Sequence, residues 1–125
     1  IRLRLCLEND EYSYGADEIH DVCMRAGVPM VFDAHHHIVH DKLASYDDPS
    51  VAATLAAARA TWPVPAHQVV HISTGRERFN DRQHADLITT MPAAYVEAPW
   101  IEIEAKLKEE AIGGLRDWMA QVNCP

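Results

Sequence analysis

The chain has 125 residues, enough for one small domain and too few for two. Apolar residues make up 48 % and charged residues 24 %, a globular balance that excludes a disordered tail, a collagen-like fibre and a low-complexity linker. Acids outnumber bases by 19 to 11, giving a net charge of −8, and no apolar run reaches the ~18 residues of a membrane span.

Nothing at the N-terminus reads as a signal peptide. Cys6, Cys23 and Cys124 are far apart and lack CxxC spacing. They predict neither a disulfide framework nor a zinc ribbon, so a reducing, cytoplasmic setting is expected. The chain opens directly on a strand-like run, and its natural beginning is expected to lie upstream.

The first strand is predicted over 2–8, where Leu3, Leu5 and Leu7 alternate with Arg2, Arg4, Cys6 and Glu8. A helix is predicted over 13–26, with Ile19, Val22, Cys23 and Ala26 on one face and Gly27 as its stop. The second strand covers 28–33. Asp48-Pro49 reads as an N-cap and first-turn proline before an Ala-rich helix over 50–61. The third strand covers 67–73. A helix carrying Ala85, Leu87 and Ile88 is expected to start near Asp81 and to be opened by His84. The fourth strand covers 100–104, and Leu107, Ala111, Leu115, Trp118 and Met119 mark a last helix.

Strict strand–helix alternation predicts an α/β fold with a parallel sheet. Leu3, Leu5, Phe32, Val70, Ile72, Ile101 and Ile103 should lie under the helices. The opposite face is polar, increasingly so toward the strand C-termini, as in a barrel that binds its ligand at the top. A (β/α)8 TIM barrel needs eight units and ~250 residues. The expectation for 1–125 is therefore a single partial domain, half of such a barrel built from four parallel βα units.

Strand parity puts Glu8, Asp33, His71 and Glu104 on the polar face, each at or near a strand C-terminus. Carboxylates converging with an imidazole repel unless neutralised, and a divalent cation bound by oxygen and nitrogen ligands does this. His36 and His84 stand close enough to reach a neighbouring metal. One strand-end carboxylate is commonly a helix cap, and His35-His36-His37 also reads as a solvated loop. Four strands ending alike favour a metal site. Arg76, Arg78 and Arg82 cluster after the third strand and suit a phosphate, although a solvated loop fits them equally. Trp62 beside Pro63 reads as helix-end packing.

Leu7-Glu8-Asn9-Asp10, Val31-Phe32-Asp33-Ala34-His35-His36-His37, Thr61-Trp62, His71-Ile72-Ser73, His84-Ala85-Asp86 and the run from Glu104 to Glu109 resemble, in order, the second half of the UV-damage endonuclease family. The family is similar in architecture to endonuclease IV. The resemblance implies the C-terminal half of a TIM barrel that holds two to three divalent metal ions, manganese first, with zinc or magnesium as alternatives. It implies nicking of double-stranded DNA 5′ to UV photoproducts, and an N-terminal half that completes the barrel. Carried over, Glu8 bridges two metals and is catalytic together with Glu104. Asp33, His71 and Glu104 complete one metal, and His36 and His84 bind a third. Arg76, Arg78, Arg82 and Lys106 become DNA contacts. Val69 stands where the family has a lysine. The net charge of −8 opposes binding to a polyanion unless cations at the site offset it. A xylose-isomerase-like sugar isomerase and an inactive truncated half-barrel remain the alternatives.

Overall fold

The computed structural model describes residues 4–122. Its strands are β1 (Leu7–Glu8), β2 (Met30–Asp33), β3 (Val69–Ile72) and β4 (Trp100–Ile103). Its helices are α1 (Ala16–Ala26), α2 (Ala34–Asp41), α3 (Pro49–Ala60) and α4 (Lys108–Val122), with 3₁₀ turns at Pro65–His67 and Ala93–Glu97. The four strands form one sheet in the order β1-β2-β3-β4, every neighbouring pair parallel. This is the α/β arrangement that the alternation predicts, since parallel neighbours need a crossover segment between them.

Local chemistry sets the element ends. Gly27 closes α1 in the left-handed region at φ 65°, which a glycine adopts without steric penalty. Asp48 caps α3 by accepting from the Ser50 N–H at 2.9 Å, with Pro49 in the first turn. Thr61 and Trp62 then hold β2 in place. The Met30 N–H donates to Thr61 Oγ1 at 2.8 Å, and Trp62 Nε1 donates to the Met30 carbonyl at 2.8 Å.

Met30, Phe32, Val70, Ile72, Ile38, Val51, Leu55 and Tyr95 form the buried centre. Each such side chain contributes roughly 1.5–3 kcal/mol through apolar burial. Tyr95 also works through its hydroxyl. It accepts from the Ala34 N–H at 3.0 Å and lies 2.9 Å from the His71 carbonyl and 3.1 Å from that of Phe32. One buried oxygen thus joins β2, β3 and the start of α2.

Several expectations need correction. The first described strand is only Leu7–Glu8; Leu5, expected under the helices, is 44 % exposed. Leu3 and Cys124 lie outside the described residues, as does the side chain of Trp118. Ile101 and Ile103 are partly buried rather than covered. No helix starts near Asp81: residues 76–92 are irregular, apart from a bridge at His84. The segment is held by main-chain bonds that fold it back on itself, such as Ala85 N–H to the Thr74 carbonyl at 2.8 Å, and these compete with helix formation. His35–His37 is not a solvated loop but the first turns of α2, because Asp33 caps it.

Tyr95→Phe should destabilise the chain by about 1–3 kcal/mol, because it leaves the buried Ala34 N–H without its acceptor. Urea denaturation of the two proteins side by side measures it. Both sheet edges, β1 and β4, lack a partner among the described strands, and Trp100 on β4 is 62 % exposed. The isolated chain should therefore self-associate, and a monomer at micromolar concentration in sedimentation would contradict this.

Candidate metal centre

Parallel pairing aligns the strand ends. Glu8 ends β1 and Asp33 ends β2, where it registers with His71 of β3. The Glu104 N–H donates to the Ile72 carbonyl at 2.9 Å, extending β4 by one step. The side chains then meet. His71 Nδ1 lies 2.9 Å from Glu8 Oε1 and 3.3 Å from Glu104 Oε1. Its other nitrogen is 3.4 Å from Glu102, a carboxylate that is otherwise 67 % exposed.

The capped turn supplies the next group. Asp33 Oδ1 accepts from the His36 N–H at 2.9 Å and starts α2. Successive residues of a helix point about 100° apart, so the three histidines separate. His36 turns toward the strand ends, with Nδ1 3.4 Å from Glu8 Oε1. His35 is buried between Tyr46, whose hydroxyl is 2.5 Å from its Nδ1, and the Asp81 carbonyl, 2.8 Å from its Nε2. These contacts, with the Tyr46 hydroxyl also donating to the Ser73 carbonyl at 3.4 Å, anchor the loop after β3. Burial lowers the His35 pKa, which favours the neutral ring. His37 turns toward α3 and meets Ser50 Oγ at 3.0 Å.

His84 reaches the site from that loop, through an antiparallel bridge to Gly75. A Cβ at Gly75 would collide with the Arg78 carbonyl, so only glycine permits this turn. His84 Nδ1 is 3.7 Å from Glu104 Oε2, and its ring centroid is 6.0 Å from that of His36.

The electrostatics are those of a site that favours positive charge. Burial by itself would lower the His71 pKa, but the hydrogen bonds and charges of Glu104 and Glu8 outweigh it and raise it to about 10. The His71 hydrogen bond, against some desolvation, holds Glu104 below the usual carboxylate range. Asp33 is pushed up by complete burial, against the pull of His36. His36 is raised, because the Asp33 charge and the Asn9 carbonyl overcome its desolvation.

Donor atoms form three overlapping groups, each with its atoms within 4.8 Å of one another: Glu8–His71–Glu104, Glu8–Asp33–His36 and His36–His84–Glu104. The structure thus brings together all six residues singled out in the sequence. Asp33 joins Glu8 and His36, not the His71 group. Nitrogen and carboxylate oxygen suit divalent transition metals. Asp33 Oδ2 is buried with no hydrogen-bond partner among the described residues, an acceptor that a cation would satisfy.

Residues 1–123 match the family model described as UV-endonuclease UvdE. The chain belongs to this family. It is 61 % identical over 118 residues to a UV DNA damage endonuclease of Nostoc sp., covering 94 % of this chain and 37 % of that protein. The corresponding protein of Deinococcus radiodurans is 56 % identical over 116 residues, covering 93 % and 38 %. The chain therefore spans less than two-fifths of the length of these curated relatives. The fold matches the crystal structure of SacUVDE with a TM-score of 0.68 at 21 % identity, over 93 % of this chain and 40 % of that one.

The four basic residues that the sequence marked for DNA do not enter this cluster. Arg82 bonds Glu11 through Nε at 3.2 Å and Nη2 at 3.1 Å. Arg76 bonds Gln83 at 2.7 Å. Arg78 lies along an open groove with Asn80 and Asp81, and Arg76 and Lys106 line another with Asp86. Val69 precedes His71 by two residues in β3 and registers with Trp100.

Sequence reasoning missed Asn9. Its fully buried amide donates to the Asp33 carbonyl at 2.9 Å and accepts from the Asp33 N–H at 3.0 Å, so a side chain continues the β1–β2 ladder past Glu8. Its own carbonyl lies 2.9 Å from His36 Nδ1 and so helps to orient the imidazole that faces Glu8. An asparagine at a strand end, poor in β propensity, was the available signal.

Asn9→Ala should weaken divalent-metal affinity by about 10–100-fold, because it frees the Asp33 main chain; calorimetric titration measures this. The raised His71 pKa contributes stability that is complete below about pH 6.5 and lost as pH rises through about 10. A metal at His71 must displace that proton. Zinc affinity should therefore rise with pH over this window, with proton release seen as buffer-dependent binding enthalpy.

Proposed function

We propose that this chain is the C-terminal half of the (β/α)8 barrel of a metal-dependent DNA-repair endonuclease, which nicks DNA 5′ to UV photoproducts. The observation that carries the reading is the set of three overlapping donor groups at the ends of parallel strands, in a chain of the UV-endonuclease family. The family favours this reading over a sugar isomerase.

Two to three divalent ions, manganese first and zinc or magnesium as alternatives, fit the donors. When bound, such ions neutralise phosphate charge and lower the pKa of water. Glu8 and Glu104 each belong to two groups, so each offers one carboxylate to two neighbouring positions. Asp33 offers Oδ2 while Oδ1 keeps α2 in place. His36 offers an imidazole nitrogen, its ring oriented by the Asn9 carbonyl 2.9 Å from Nδ1. His71 gives up its proton to become a ligand, and His84 closes the cluster from the loop. Arg76, Arg78 and Lys106, which line two open grooves, would meet phosphates of the DNA backbone.

The relatives are more than twice as long, which supports a barrel completed by a further half. The isolated chain is then without incision activity.

In the complete protein, Glu8→Gln keeps the volume and removes the charge. It should lower incision of UV-irradiated plasmid by at least about 100-fold and reduce bound metal. Glu102→Gln, which loses only an exposed contact to the far nitrogen of His71, should retain most of both. Nicking rates at saturating manganese, with metal content by mass spectrometry, test the pair. Full activity of Glu8→Gln overturns the reading.

A further inference from the structure

The loop just past Glu8 is fixed at several points, yet it holds a large aromatic ring in water. The Asp10 carboxylate accepts the N–H groups of Tyr12 and Ser13, and the Asp10 N–H donates to the Tyr14 carbonyl at 3.0 Å. Glu11 grips Arg82 from the loop after β3 at 3.1 Å. The Arg82 guanidinium in turn lies over the Tyr12 ring, 5.0 Å from its centroid. The ring is nevertheless 75 % exposed. Apolar burial does not account for it, and the cation covers only one of its faces.

The other oxygen of Glu11 is 3.8 Å from His36 Nε2. One side chain therefore links the stacked pair to the candidate metal centre. A flat, pre-oriented π face backed by a fixed cation, beside a site for a phosphodiester, has the composition of a nucleobase platform. Any base can stack on such a face, and the Arg82 contact orients the ring in part before binding.

We infer that Tyr12, held by Arg82 and Glu11, stacks on an unpaired or displaced base of the bound DNA next to the cut. This deepens the endonuclease reading and rests on it. A base inside intact duplex has both faces covered. The platform is therefore used where stacking is already weakened, as at a photoproduct, and it adds selectivity for damage.

The test uses the complete, metal-loaded protein and a fluorescein-labelled duplex carrying one photoproduct, with the undamaged duplex beside it. Tyr12→Ala should weaken binding of the damaged duplex on the order of tenfold. Its metal content should stay at the wild-type value. Tyr12→Phe keeps the ring and should restore wild-type affinity. Should the alanine variant fail to fold, Tyr12→Leu keeps apolar bulk without a π face and must show the same loss. In the wild type, 2-aminopurine beside the lesion should be quenched on binding, and less so in the variant without the ring.

Unchanged affinity in Tyr12→Ala overturns the platform while wild-type incision leaves the endonuclease reading standing. An equal loss in Tyr12→Phe also overturns it, because the hydroxyl rather than the ring would then be the contact. A wild type that neither binds nor cuts damaged DNA removes both.

Discussion

Three carboxylates, those of Glu8, Asp33 and Glu104, converge with His36 and His71 at the ends of parallel strands, and the negative charge gathered there governs the chemistry around them. Parallel pairing makes the convergence unavoidable, because all four strands finish on the same side of the sheet. Positive charge must enter. The surroundings show the demand: His71 is drawn up to a pKa of about 10 between Glu8 and Glu104. A buried carboxylate oxygen on Asp33 meanwhile finds no donor among the described residues. A divalent cation that displaces this proton meets the same two carboxylates.

Holding these charges together takes a rigid frame, and that frame is made largely of main-chain bonds. Asn9 extends the β1–β2 ladder with its side chain, so the ends of both strands move as one. Asp33 both ends β2 and caps α2, which fixes the direction in which His36 emerges. The Tyr95 hydroxyl ties the same junction to β3 from below. Each bond is of ordinary strength, about 0.5–1.5 kcal/mol net. Their effect lies in placement rather than in total stability.

The loops add what the strands cannot supply. His35, buried with its pKa lowered by desolvation, binds the Asp81 carbonyl and so sets the position of the loop that delivers His84 and Arg82. Arg82 then spends its charge on Glu11 and Tyr12 instead of standing free for phosphate. Of the basic side chains around the site, Arg82 is compensated in this way.

Strand order, the parallel fold class and the face carrying Glu8, Asp33, His71 and Glu104 were legible in the sequence. Period-two alternation is a local property, and strand–helix alternation admits few topologies. The family runs around Glu8, Asp33 and Glu104 pointed the same way. The loop from 76 to 92 was not legible: its apolar spacing suits a helix, but it folds back on Thr74 and Gly75, just past β3, and those bonds win over the local pattern. The fate of the histidine run was equally hidden. Which of His35, His36 and His37 faces the carboxylates depends on where α2 starts, and that is set by the Asp33 cap. Asn9 could be read as a residue but not as a strut, since its partner is main chain and carries no residue-type signal. Sequence thus determined which groups exist and which face of the sheet they share. Only the tertiary structure decided their pairing and protonation, because those depend on distances of a few ångströms between segments far apart in the chain.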